Sequence, residues 1–120
     1  MDSNTTIGEL RSEVAHFVAA RDWNGYHTPK NLAVSIAIEA AEIMEHFQWV
    51  TVDEAVELVA DPAVHVEVAD ELADVLIYCM SFANAADIDI AVAVRKKLAR
   101  NELRFPVEVV SGKLGPYTVE

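Results

Sequence analysis

The chain has 120 residues, with 9 Lys plus Arg against 20 Asp plus Glu, a formal net charge of −11 and 52% hydrophobic residues. This length corresponds to one domain burying roughly two thirds of its unfolded surface, and the apolar fraction excludes intrinsic disorder. The acidic balance argues against long nucleic acid and anionic membrane surfaces as partners, because both need a surplus of Lys and Arg.

The first residues, Met1 to Thr6, hold neither a basic nor an apolar stretch, so no signal peptide is expected. Ile7, Leu10, Val14, Phe17 and Val18 then recur on one face of a helix starting near Thr5 or Thr6. Arg21 to Asn31 contains Gly25, Pro29 and two Asn and reads as a loop. At its end Thr28-Pro29 fits the cap and first position of a second helix, which runs to about Phe47. Thr51 with Glu54 three residues on is a capping box, opening a short third helix to about Ala60. Asp61-Pro62 starts a long fourth helix to about Ala86, and Asp87-Ile88-Asp89 caps a fifth that ends between Asn101 and Arg104. Beyond Pro106 a Gly-containing segment reads as an irregular tail that can dock on a neighbour, with a short strand over Val107 to Val110.

The expected fold is therefore all-α, a bundle of four to five helices over residues 1–106 followed by a tail over 107–120. The longest uncharged apolar stretch, Val75 to Ala86, falls short of the roughly 18 residues of a membrane span. A soluble, cytoplasmic protein is expected. The single Cys79 lies in that stretch and reads as a buried thiol.

The charge is unevenly placed. No Lys or Arg occurs among the 64 residues from Asn31 to Val94, which carry 13 acids. Five of the nine basic residues then follow closely as Arg95, Lys96, Lys97, Arg100 and Arg104. Within the second helix Ser35, Glu39, Glu42 and His46 form one polar stripe on an otherwise apolar cylinder. The fourth helix repeats the pattern with Glu67, Glu71, Asp74, Tyr78 and Ser81. Taking ionised carboxylates out of water costs several kcal/mol each without compensation. Three outcomes are open: the stripes face solvent, they meet cations from the basic segment, or they bind a metal.

The pairs Glu39-x-x-Glu42 and Glu71-x-x-Asp74 can set four oxygen ligands around one centre, which suits Mg²⁺, with Mn²⁺ or Ca²⁺ as substitutes. Mg²⁺ is commonly shared with substrate phosphates. A di-iron bundle would need Glu-x-x-His on each of two helices, and only Glu13-x-x-His16 is present. Gly-rich phosphate loops, zinc-protease motifs and nucleophile elbows are absent. Lys96 and Arg100 read as solvated, His46, Glu45 and Glu67 as flanking groups, and His16 and His65 as surface residues.

In order along the chain stand Arg21-Asp22-Trp23, Tyr26-His27-Thr28-Pro29-Lys30-Asn31-Leu32, Glu39-x-x-Glu42, Phe47-Gln48-Trp49, Glu71-x-x-Asp74-x-x-x-Tyr78 and Lys97-x-x-x-Asn101-x-x-Arg104-Phe105-Pro106. This series resembles the MazG-like all-α nucleoside triphosphate pyrophosphohydrolases, and among them the short dCTP pyrophosphatase type, over about residues 5 to 106. The resemblance implies Mg²⁺ ligands at Glu39, Glu42, Glu71 and Asp74, and cleavage between the α and β phosphates to the monophosphate and pyrophosphate. It implies a nucleotide pocket of Trp23, His27, Trp49 and Tyr78, and phosphate contacts from Lys97, Asn101 and Arg104. It also implies a homodimer or homotetramer with pockets completed across subunits. The chain departs from the eukaryotic pattern at Ile38 and Ala41, where Gly is usual, and at Val14, where a His is usual.

On residue chemistry alone, Glu42 or Glu39 is the candidate to orient or deprotonate an attacking water. Lys97 and Arg104 offer charge for a leaving pyrophosphate. Trp23 and Trp49 either stack a base or anchor helix ends; His27 either serves the pocket or bonds loop backbone; Tyr78 either faces substrate or completes the core. Two other functions fit the same pattern: a non-catalytic oligomerisation or nucleotide-sensing protein, and a structural cation-binding bundle.

Overall fold

Thr6 and Glu9 cap each other at the start of the first helix. In this computed structural model, which describes residues 1–113, the Glu9 N–H donates to Thr6 Oγ1 at 3.1 Å and the Thr6 N–H donates to Glu9 Oε2 at 2.6 Å. These bonds satisfy donors that a first helical turn leaves open, and α1 follows over Ile7–Ala20. The backbone bond from Thr6, then its hydroxyl, hold the Glu9 carboxyl below its ordinary range.

The other predicted starts also hold. Thr51 and Glu54 repeat the reciprocal cap, at 3.2 and 2.9 Å, and open α3 over Val52–Ala60. Asp61 Oδ1 accepts from Ala63 and Val64 N–H at 2.9 and 3.3 Å and opens α4 over Pro62–Ala86. Asp87 ends α4 with a left-handed backbone at φ 53, and Asp89 Oδ1 accepts from Val92 N–H at 2.9 Å to open α5 over Ile90–Arg104. The second helix, α2 over Pro29–Glu45, begins after Thr28 as expected, but the Thr28 side chain makes no capping bond. Pro29 at its first position presets φ without needing a donor satisfied.

One expected element is corrected. Val107–Val110 is not a strand but a single helical turn, α6. Val110 and Ser111 N–H donate to Pro106 and Val107 carbonyls at 3.1 and 3.0 Å. β-branched residues favour strands through pairing with a neighbouring strand, and no strand exists among the described residues. Local hydrogen bonds therefore decide. The described residues thus hold six helices, five of them longer than one turn. Most of the expected tail, residues 114–120, lies outside the described residues.

Met1–Asp87 forms one compact unit, and the described residues from Ile88 to Lys113 belong to a second. In the first, α2 packs along α4 more extensively than α1 or α3 does. Val18, Leu32 and Ala83 are its buried apolar residues, at 6%, 2% and 3% exposure. Cys79, expected as a buried thiol, is half-buried and unpaired. Among the described residues no single helix is long and apolar enough to cross a membrane.

Candidate functional site

The packing of α2 along α4 brings the two acidic stripes together. One carboxylate oxygen from each of Glu39, Glu42 and Glu71 lies within 4.8 Å of the other two. All three side chains are half-buried. Asp74, one turn beyond Glu71 on α4, is exposed and stands outside this trio. Apart from Lys30 in the first turn of α2, neither helix carries a Lys or Arg to supply countercharge.

The electrostatics show the strain of this arrangement. Burial raises the Glu39 carboxyl above its ordinary value, with a hydrogen bond to Glu42 and the charges of Glu42 and Asp74 adding to the effect. Glu71 is raised first by its own hydrogen bond with Glu42, then by burial and by the charges of Glu42, Glu39 and Asp74. Carboxylates bond one another only when one keeps a proton. Glu39 Oε2 is buried with no hydrogen-bond partner at all. A bare, buried carboxylate oxygen beside two more carboxylates is the donor set of a hard divalent cation, and the residues fit Mg²⁺ or Mn²⁺.

A second cluster starts at the end of α1. Asp22 takes a left-handed conformation at φ 53. Its N–H donates to Ala19 O at 3.0 Å and the Trp23 N–H donates to Val18 O at 3.1 Å. This is the paired-bond helix ending in which a residue after the cap turns left-handed, with Asp in place of the more usual Gly. An apolar contact back onto the last turn often accompanies it. Here the Trp23 ring meets Phe17 edge-on with centroids 6.0 Å apart, while the Arg21 guanidinium covers the Phe17 face at 3.6 Å. The Arg-Asp-Trp motif is thus a turn that aims an indole.

That indole supports a ladder of rings. His27 lies nearly parallel to Trp23 at 6.2 Å and to Tyr78 at 6.5 Å. Tyr78 is one turn past Asp74 on α4, so the ladder adjoins the acidic stripe. The structure therefore groups Trp23, His27 and Tyr78. Trp49 is in the turn after α2 and is 88% exposed, which excludes a core-anchor role within this chain. Lys97, Asn101 and Arg104 lie at four- and three-residue spacing on α5, in the second unit. Lys97 and Arg104 are exposed and Asn101 half-buried.

Sequence reasoning included Ser81 in the α4 stripe without giving it a task, and it overlooked Asn84 and Phe17. Asn84 extends that stripe by three residues, a spacing visible in the sequence. Phe17 carried no separate signal, because an apolar residue on a helical face reads as core.

The MazG-like family model matches residues 34–112. Bovine dCTP pyrophosphatase 1 is 34% identical over 116 residues, covering 97% of this chain and 69% of that protein. The human dCTP pyrophosphatase 1 is 34% identical over 113 residues, covering 94% of this chain and 66% of that protein. The chain spans about two thirds of the length of these mammalian proteins. The crystal structure of a pyrophosphatase from Archaeoglobus fulgidus superposes with a TM-score of 0.78 at 44% identity, covering 83% of this chain and 92% of that one.

Proposed function

The chain belongs to the MazG-like family and is a nucleotide pyrophosphohydrolase, and on that premise we propose that it converts dCTP or a related or modified deoxynucleoside triphosphate to the monophosphate and pyrophosphate, clearing such nucleotides from the pool. The observation that carries the reading is the convergence of Glu39, Glu42 and Glu71, with one Glu39 oxygen buried and unpartnered. The choice of base rests on the mammalian relatives named dCTP pyrophosphatase 1.

Glu39, Glu42, Glu71 and Asp74 would hold Mg²⁺, with Mn²⁺ as a substitute. A bound cation of this kind neutralises charge on phosphate oxygens and lowers the pKa of an attacking water. Glu42 or Glu39 would orient an attacking water or accept its proton. Trp23, His27 and Tyr78 flank the base and sugar from one side. By resemblance, Lys97, Asn101 and Arg104 would contact the phosphates, and the positive charge of Lys97 and Arg104 suits a leaving pyrophosphate.

The protein acts as a homodimer or homotetramer in this reading. Support comes from the apolar surface: Phe17, Ile38, Leu72 and Leu76 are between 48% and 53% exposed. Exposed apolar surface of this kind marks association, and Trp49 would reach a neighbouring copy's pocket. The direct test is pyrophosphate release from a panel of deoxynucleoside triphosphates with Mg²⁺. Turnover of at least one supports the reading; nucleotide binding without product would make the protein a sensor instead.

A further inference from the structure

The polar stripe of α4 does not end with its carboxylates. Glu71, Asp74, Tyr78 and Ser81 follow one another at three-, four- and three-residue spacing, and the metal centre leaves Ser81 unexplained. Ser81 is 6% exposed, and its hydroxyl has no hydrogen-bond partner. A helical serine ordinarily returns its hydroxyl to a carbonyl of the preceding turn. A buried hydroxyl that does not is a group waiting for a partner.

The hydroxyl lines a cavity of about 250 Å³ bordered by Val18, Asn24, His27, Ser81 and Asn84. Val18 and Ser81 are its buried floor, and Asn24 and Asn84 its exposed rim. The Asn84 amide is held in place: Oδ1 accepts from Arg11 Nε at 3.0 Å and Nδ2 donates to Arg11 O at 3.1 Å. An amide nitrogen has two hydrogens, so one remains for a ligand. His27 Nδ1 lies 3.0 Å from Trp23 O. A carbonyl only accepts, so Nδ1 carries the proton, and the neutral ring keeps Nε2 as an acceptor.

No charged side chain lines this cavity. It offers a hydroxyl, two amides and an imidazole, which matches an uncharged planar ring with a donor and acceptor edge. Whole-ligand sites run about 300–1,000 Å³. At 250 Å³ the cavity is sized for one ring of a ligand rather than for an entire nucleotide. Ser81 lies seven residues beyond Asp74, about 10 Å along the helix on the same face. Tyr78 lies between them. One elongated ligand can therefore set its phosphates at the carboxylates and a ring at Ser81.

We infer that this cavity is the base-recognition pocket and that Ser81, with Asn84, sets the preference among bases. The inference rests on the nucleotide reading above. It assigns the choice of base to Ser81 and Asn84, which lie outside the metal centre and outside the Trp23–His27–Tyr78 ladder.

The experiment compares wild type with Ser81→Ala on dATP, dCTP, dGTP and dTTP, reading kcat/KM for each together with the melting temperature of the ligand-free protein. The ratio between best and worst base should shrink about three- to tenfold, the size of one neutral hydrogen bond. The melting temperature should hold or rise, because the substitution removes an unpaired buried hydroxyl. Wild-type turnover with unchanged base ratios in Ser81→Ala overturns this inference alone, as does a uniform loss across all four bases. A wild type that turns over no nucleotide overturns the functional reading, and this one with it.

Discussion

His27 and Trp23 are joined twice: the rings lie 6.2 Å apart at 5°, and both the His27 backbone N–H and Nδ1 meet the Trp23 carbonyl, at 3.1 and 3.0 Å. The indole is therefore a support for the imidazole as well as a candidate base platform. Trp23→Ala should lower stability by about 1–3 kcal/mol, through lost contact with Phe17 and loss of the stacking partner. It should raise KM about tenfold or more, since base–aromatic stacking contributes about 1–3 kcal/mol. His27→Ala should weaken substrate binding with a smaller stability loss. Thermal melts and steady-state kinetics on both variants check this; an unchanged KM in Trp23→Ala removes the indole from the substrate site.

Asp22 makes that geometry possible, at a left-handed φ of 53. Asp tolerates this region through its short polar side chain, and a β-branched residue does not. Asp22→Val should therefore cost about 1–3 kcal/mol. Asp22→Gly should be close to neutral, since relief at φ is offset by about 0.4–1 kcal/mol of added unfolded-chain freedom. Chemical denaturation of the two variants separates them; equal stability would place the constraint elsewhere.

The helix starts were legible because each rests on local chemistry: Thr6 with Glu9, Thr51 with Glu54, and Asp61 before Pro62. The acidic stripes were legible for the same reason, as spacing alone puts Glu39 with Glu42 and Glu71 near Asp74 on their faces. What spacing cannot give is which oxygens meet between helices. Asp74 is outside the closest trio, a fact of packing between α2 and α4. The valines at 107–110 read as strand because propensity carries no information about whether a partner strand exists. The stacking of His27 between Trp23 and Tyr78 joins residues 51 positions apart, which no local pattern encodes.

Glu42 is the hub of the acidic cluster, since both Glu39 and Glu71 are raised by hydrogen bonds to it. Glu42→Gln should reduce turnover by about 10²-fold or more and weaken Mg²⁺ binding. The metal-free variant should melt no lower than wild type, because one of several crowded negative charges is gone. Turnover, calorimetric titration with Mg²⁺ and a thermal melt test the three parts; retained turnover takes Glu42 out of the reaction.

An exposed apolar groove between α1 and α4 is lined by Leu10, Val14, Leu76 and Ile77. If a second copy covers such surface, Leu76→Asp should shift the protein toward monomer by burying an unpaired charge at the contact. Sedimentation velocity of wild type against Leu76→Asp reads this directly. A wild-type monomer across the accessible concentration range overturns the assembly, and with it the delivery of Trp49 to a neighbour.

The same carboxylates fix how stability should depend on pH. Glu39 and Glu71 are both raised above the ordinary value of 4.5, so between 4.5 and their raised values the folded chain binds more protons than the unfolded one. Stability then falls as pH rises through that window: their contribution is complete below 4.5 and lost above the raised values. Once these carboxyls lose their protons the metal-free chain holds like charges against one another, and a cation relieves this. Mg²⁺ at about 100 times its dissociation constant should stabilise the fold by about 2.7 kcal/mol. Protons compete for the same oxygens, so that gain should shrink as the pH is lowered toward 4.5. Thermal melts with chelator and with Mg²⁺, taken from acid to neutral pH, should show two curves that diverge as pH rises. Curves that stay parallel would mean the ion binds somewhere other than Glu39, Glu42 and Glu71.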